Sequence, residues 1–418
     1  MSGDKQAVSK SSPRSFISRA KWFAKDQWVI LSLFCLIIVA SLVQVPKSHQ
    51  AIKSEVVQNV TIATIFFVNG CTISPRDFLS NLGHWKQHIF IQTLCFLMTS
   101  AIALGIVAAA ATNEAFVDPA LLNGIVLLGC LPTAFSFTTL MAKKANGNAA
   151  LTVAESVIGS ILGPLVSTGL IEAYSSVPTW YAHVLPNQRG RTGIVLAEVF
   201  KDLGLILFLP LVVGQIVLYF FPRMTHKVME DWSIRRVASL ALLANIWSSY
   251  DKAFETDVFS TLETDNIIFI ILTCIVLFVV WMGISFLLSY YWLPPADTIA
   301  AAFSVPTKAP ILGLALIAII YREVSELTAV KLYLPMIIFQ CVQMCLSSLA
   351  TTPLRLWRER RESMVVEARR DEDSAERGMV QMVQDDRYIG NCPDCGAPAS
   401  HHPGGSSFWK DRRRFQDS

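Results

Sequence analysis

The sequence predicts an all-α integral membrane protein of ten transmembrane helices, arranged as two inverted five-helix repeats. Three observations predict it. Hydrophobic residues make up 53% of the 418 and charged ones 16%, against roughly 45–50% and about 25% in a soluble domain. Ten apolar stretches approach the ~20 residues that cross a bilayer, at 28–45, 56–73, 88–111, 120–142, 148–170, 203–221, 234–250, 266–290, 295–320 and 330–354. The fourth stretch of each half is broken by proline, at Leu131-Pro132-Thr133 and at Val305-Pro306-Thr307-Lys308-Ala309-Pro310. Lipid offers no hydrogen-bond partners, so unwound backbone at mid-depth must be buried in protein or line a wet cavity. Matched interruptions in two halves point to a transport site.

Residues 1–27 form a basic tail carrying Lys5, Lys10, Arg14, Arg19, Lys21 and Lys25. The first stretch is long enough to span and ends in Gln44-Val45-Pro46 without a small-residue cleavage site, which argues for an anchor rather than a signal peptide. The second is interrupted by Asn59, Thr61, Thr64 and Asn69, and the seventh by Asn245, Ser248 and Ser249. Both read as helices facing protein or a cavity. The first repeat is assigned to 28–170 and the second to 203–354. Between them, 171–202 reads as an interfacial connection with Trp180-Tyr181 and one apolar face of Ile194, Leu196, Ala197 and Phe200. In the tail, 355–418, the charged run from Arg358 to Arg387 can extend the last helix. Asn391 to Ser418, rich in Pro, Gly, Ser and Arg, is expected to be disordered.

Alternate sides of this topology carry eighteen and eight Lys and Arg residues, with the richer side holding the amino-terminal tail. The positive-inside rule then places both termini in the cytoplasm. Five is odd, so a second five-span unit enters from the opposite face and the repeat is inverted. Pro119 and Pro295 precede the two breaks by 13 and 11 residues, roughly 16–20 Å at helical rise, about half a bilayer. The chain should sit in the plasma membrane, with Golgi and secretory membranes as the alternative.

Three constellations could carry chemistry. Thr133, Ser136, Thr138 and Thr139 put four hydroxyls at the first break. They suit cation coordination or a hydrogen-bonding solute, or they re-satisfy the broken backbone. The second break carries Ser304, Thr307 and Lys308, the lysine about 16 Å deep. A charge there costs at least about 2.5–3.5 kcal/mol, so it serves a site, locks two half-helices through their carbonyl ends, or does both. The fifth stretch supplies Glu155 with Thr152 and Ser156 on neighbouring turns. Either Glu155 faces Lys308 as a proton-exchanging pair or it reaches back to the cytoplasmic surface.

Other features are weaker. Cys392-Pro-Asp-Cys395 with His401 and His402 could hold zinc. The remaining seven cysteines lie in or beside apolar stretches and imply no disulfide framework. Asn59-Val60-Thr61 matches a glycosylation acceptor at a membrane edge. The loop Asp251–Asp265 carries five acids and either attracts cations or is simply solvated. No nucleophile, base and metal set suggests an enzyme, and nothing supports nucleic-acid binding. No cofactor is implied.

Over residues 28–354 the chain resembles the bile acid:sodium symporter superfamily, within it the sodium/bile acid cotransporter 7-like branch that includes fungal regulators of calcium homeostasis. The resemblance rests on Gly129-Cys130-Leu131-Pro132, Gly147-Asn148-Ala149-Ala150, Leu209-Pro210-Leu211-Val212-Val213-Gly214-Gln215-Ile216, Pro295-Ala296-Asp297-Thr298 and Thr307-Lys308. It implies a core of spans 3–5 and 8–10, with spans 4 and 9 crossing at their breaks and rocking against a panel of spans 1, 2, 6 and 7. Sodium-coupled members hold the ion with Ser and Asn of span 4, hydroxyls of span 5, and Glu and Gln of span 9. Here Ser136, Thr152 and Ser156 match, but Phe137 replaces the Asn and span 9 has no Glu or Gln. Lys308 is an ammonium where sodium would bind, so sodium coupling is expected to be lost or replaced. The resemblance implies a negative regulator of calcium influx, moving a small organic solute or ion, with the bilayer as its surroundings. The alternative is a non-transporting membrane regulator that binds calcium channel subunits. A homodimer is compatible with either.

Overall fold

Each of the ten apolar stretches is helical in the computed structural model, which describes residues 28–72, 83–185, 201, 204–231 and 235–389. The protein is all-α: apart from one isolated β-bridge, the described residues form no strand. The first half contains α1 (Trp28–Leu42), α2 (Lys47–Thr72), α3 (Trp85–Ala110), α4 (Pro119–Cys130), α5 (Ser136–Lys144) and α6 (Ala149–Ser175). The second contains α7 (Leu209–Phe220), α8 (Pro222–Asp231), α9 (Arg235–Glu255), α10 (Val258–Thr261), α11 (Thr264–Tyr290), α12 (Pro295–Ser304), α13 (Pro310–Ile320) and α14 (Glu326–Ile389).

Five helices are long and apolar enough to cross a membrane: α2, α3, α6, α11 and the first part of α14. Four shorter apolar helices are α1, α4, α7 and α13. The chain divides into two units, Met1–Arg358 and Glu359–Ser418. In the second, residues 359–389 are helical, as the charge pattern allowed. Asn391–Ser418, with the zinc candidates Cys392, Cys395, His401 and His402, lies outside the described residues, as does the apolar face of Ile194 to Phe200.

α11 shows why these helices need lipid. It buries Ile270, Cys274, Leu277 and Trp281 while exposing Ile268, Leu272, Val276 and Val279. Both sets recur every three or four residues, so the helix is apolar all round and one apolar face meets the surroundings. A soluble protein rarely leaves such a stripe uncovered.

The helices pack in two groups. α2 packs against α7 and α9, and α9 against α1. The other group contains α3 on α4, α11 on α12, and α6 against α4, α5 and α12, with α13 on α4. The polar residues of the second and seventh stretches face protein, as expected. Asn245 Nδ2 donates to Thr61 Oγ1 at 3.1 Å, joining α9 to α2. Both helices begin or end beyond their apolar stretches because buried Asp251 ties the extra turns. It accepts from Lys53 Nζ at 2.6 Å, Gln50 Nε2 at 2.8 Å and the Val45 amide at 3.0 Å. In the connection after α6, Trp180 Nε1 donates to Ala108 O at the end of α3, at 2.8 Å.

Candidate ion and solute site

Proline sets both breaks. α4 starts on Pro119 behind its N-cap Asp118, whose side chain accepts from the Ala120 amide at 2.9 Å. It stops at Leu131, in extended conformation, because Pro132 cannot donate the next helical bond. α12 and α13 flank the second break in the same way, and α13 restarts on Pro310. The two breaks meet antiparallel. Thr133 and Lys308 form the β-bridge, the Ala134 amide donates to Thr307 O at 3.0 Å, and the Ala309 amide donates to Pro132 O at 3.0 Å. Backbone freed by one break is therefore satisfied by the other. Gly163 of α6 lets the crossing sit close: a Cβ there would lie 2.8 Å from Pro132 Cγ.

Side-chain hydroxyls complete the junction. Thr133 Oγ1 donates to Ser304 O at 2.7 Å and lies 3.4 Å from Cys95 Sγ. The Thr138 and Thr307 hydroxyls are 2.7 Å apart, and Ser156 Oγ donates to Ala134 O at 3.1 Å. Thr152 Oγ1 donates to Ala149 O at 2.7 Å and reaches Thr139 Oγ1 at 3.4 Å. Ser304 Oγ is buried without a partner. Ser136 opens α5, and its side chain lies outside the described residues. Several of these hydroxyls thus bond carbonyls left over at the breaks, the bland alternative of the sequence reading.

Lys308 is fully buried. Its ammonium donates to Cys95 O at 2.6 Å, Thr99 Oγ1 at 2.8 Å and Leu131 O at 2.9 Å, and lies 5.3 Å from the Trp281 ring centroid. Every one of these partners is neutral. Leu131 O belongs to the carboxyl-terminal end of α4, where the helix dipole is negative. Cys95 lies in a π-helical turn of α3, Leu94–Met98, and such turns redirect carbonyls at functional sites. Gln343 of α14 clamps the lysine backbone, accepting from its amide at 2.8 Å and donating to its carbonyl at 3.1 Å.

Glu155 is also fully buried, but it does not meet Lys308 and does not reach the surface, so both sequence alternatives fail. His88 Nδ1 lies 2.6 Å from Oε1, and Gln92 Nε2 donates to Oε2 at 2.7 Å and to the Glu155 carbonyl at 2.9 Å. His88, Gln92, Cys95 and Thr99 recur at helical spacing on one face of α3. That stripe serves Glu155 first and Lys308 farther along. It was missed because each residue alone reads as a tolerated polar group in an apolar run, although the i, i+4 pair of His88 and Gln92 was a usable signal.

A cleft of about 70 Å³ borders the crossing, lined by Ile62, Phe66, Thr133, Phe135, Pro310 and Gln340, among others. It is smaller than the ~150 Å³ that accepts a benzene, so this conformation has room there for water or a small ion. Among the described residues no cluster of metal-ligating side chains forms, and the seven described cysteines are all free thiols.

The chain is 27% identical to the solute carrier RCH1 of Candida albicans over 81% of its own length and 92% of that protein's. With the solute carrier RCH1 of Saccharomyces cerevisiae it shares 26% over 80% and 85%, and with the sodium/bile acid cotransporter 7 of Rattus norvegicus 27% over 82% and 96%. Residues 27–355, which hold both proline breaks, Lys308 and the Glu155 cluster, match the SBF-like CPA transporter family, and the chain belongs to that family.

Proposed function

We propose that the protein is a ten-span, inverted-repeat transporter of a small organic solute or ion whose crossing carries its own cation instead of sodium. The observation that carries this reading is Lys308, whose ammonium binds Cys95 O, Thr99 Oγ1 and Leu131 O at 2.6–2.9 Å. A second cation placed there meets a like charge in a low-dielectric interior. At 4 Å that repulsion is about 4 kcal/mol for an effective dielectric near 20. Thr133, Thr138, Ser156 and Thr307 then act chiefly as staples of the crossing. The two helix groups move past one another, and the cleft between them is the solute's path. Five long apolar helices, four shorter ones and the two paired breaks support the ten-span count.

In the cell this activity restrains calcium influx at the plasma membrane, both termini facing the cytoplasm. Influx of radioactive calcium tests it: loss of the chain raises influx, and Lys308→Gln fails to restore control. A second reading, favoured by the helical residues 359–389, is that the carboxyl-terminal segment binds a calcium channel. Deleting residues 358–418 decides between them. If that deletion releases influx while Lys308→Gln and Glu155→Gln are silent, the channel-binding reading holds and the transport reading fails.

A further inference from the structure

Beyond the crossing, α2, α9 and α14 enclose a second cavity of about 150 Å³ whose character is polar. Ser54, Gln58, Asn245, Ser249, Lys252 and Tyr333 are in its lining. Two hydroxyls here have no partner: Ser54 Oγ, and the hydroxyl of Tyr333, whose side chain is 6% exposed. A buried tyrosine hydroxyl normally finds a partner, and leaving one unmade costs about 1–3 kcal/mol. The cavity therefore lacks a hydrogen-bonding occupant.

Charge says which kind. Lys252 is the charged residue of the lining. It pairs with Glu326 at 3.2 Å, and the two side chains are 26% and 63% exposed. The glutamate is the wetter member and can swing into water while the ammonium stays at the cavity. An exposed pair of this kind contributes only about 0–1 kcal/mol, so a bound anion replaces Glu326 at little cost. Lys53 cannot compete for that role, since buried Asp251 holds it at 2.6 Å. A smaller cavity shares Asn245, Ser249 and Leu314 with this one, and Pro310, Ile311 and Gln340 with the cleft at the crossing. The polar cavity is thus the far end of a string of spaces that reaches Thr133.

We propose that this cavity is a binding subsite for a small oxyanion, in which Lys252 exchanges Glu326 for the ligand's charge while Tyr333 and Ser54 donate hydrogen bonds to it. It deepens the transport reading by naming the solute class. The volume, about 150 Å³, matches a ligand of about six heavy atoms, the size of lactate or phosphate and far below a sterol.

The test uses the full chain in lipid nanodiscs, with thermal stability followed in potassium lactate, potassium phosphate, choline chloride and glycerol. Lactate or phosphate should raise the melting temperature saturably, and choline and glycerol should not. Tyr333→Phe, which keeps the ring, and Lys252→Gln should each weaken the apparent affinity about tenfold, the equivalent of one charge-assisted hydrogen bond. Glu326→Gln, which frees the lysine, should strengthen it. If Lys252→Gln fails to fold, Tyr333→Phe and Glu326→Gln still decide the matter. Absence of a saturable shift with either anion, an equal shift with glycerol, or unchanged affinity in both remaining variants overturns the subsite. Counterflow of labelled lactate in proteoliposomes separates the two proposals. Binding without counterflow refutes transport and leaves the subsite, whereas counterflow indifferent to these variants refutes the subsite alone.

Discussion

Lys308 and Glu155 are both charged-type residues at full burial, yet they are held in opposite ways. The lysine satisfies its ammonium with neutral oxygens from α3 and α4. The glutamate sits against a histidine and an amide. Replacing Lys308 by Met keeps much of the volume and leaves Cys95 O, Thr99 Oγ1 and Leu131 O short of a donor. At about 1–3 kcal/mol for each unmade bond, we expect a loss of at least ~3 kcal/mol, read as a melting temperature lower by several degrees. Glu155→Ala leaves His88 and Gln92 facing a hole, and removing one partner of such a buried pair costs about 3–5 kcal/mol. Glu155→Gln, which retains an acceptor, should cost clearly less in the same melts. The lysine's depth could be read from its distance to Asp297, because helical rise is fixed. Its acceptors could not, since they come from a π-turn more than two hundred positions away in the chain.

Among the elements, the paired breaks govern the rest. Proline forces them, and their meeting in an antiparallel bridge lets each satisfy the other. The residues on the page predicted where the helices stop, because Pro132, Pro306 and Pro310 are local signals. That the stops touch came only from the resemblance, since pairing at long range leaves no local trace. Helix ends were misjudged for a related reason: α2 and α9 run past their apolar stretches on the strength of Asp251, whose partners lie about two hundred residues away. Two substitutions probe this level. Gly163→Val drives side-chain atoms into Pro132 and should cost about 1–3 kcal/mol, the usual range for overpacking. Asp251→Asn should loosen α2 from α9 and raise amide exchange over residues 45–53, with little change in α11.

For the whole molecule, the eighteen-to-eight asymmetry of basic residues assigns the sides. Single cysteines placed at residues 3 and 385 of a cysteine-free variant should react with an impermeant thiol reagent only after the cell is opened, and one at residue 187 without opening. Labelling of position 385 in intact cells would reverse or break the proposed ten-span topology. The same scale holds the central claim, that a built-in ammonium stands in for sodium at the crossing. Its most direct measurement is the melting temperature of the purified chain in sodium chloride against choline chloride at equal ionic strength. A resident sodium site filled at a hundred times its dissociation constant would add about 2.7 kcal/mol, a shift of several degrees. The account predicts no saturable difference in the wild-type protein; a saturable, sodium-specific rise that disappears in Lys308→Met would contradict it.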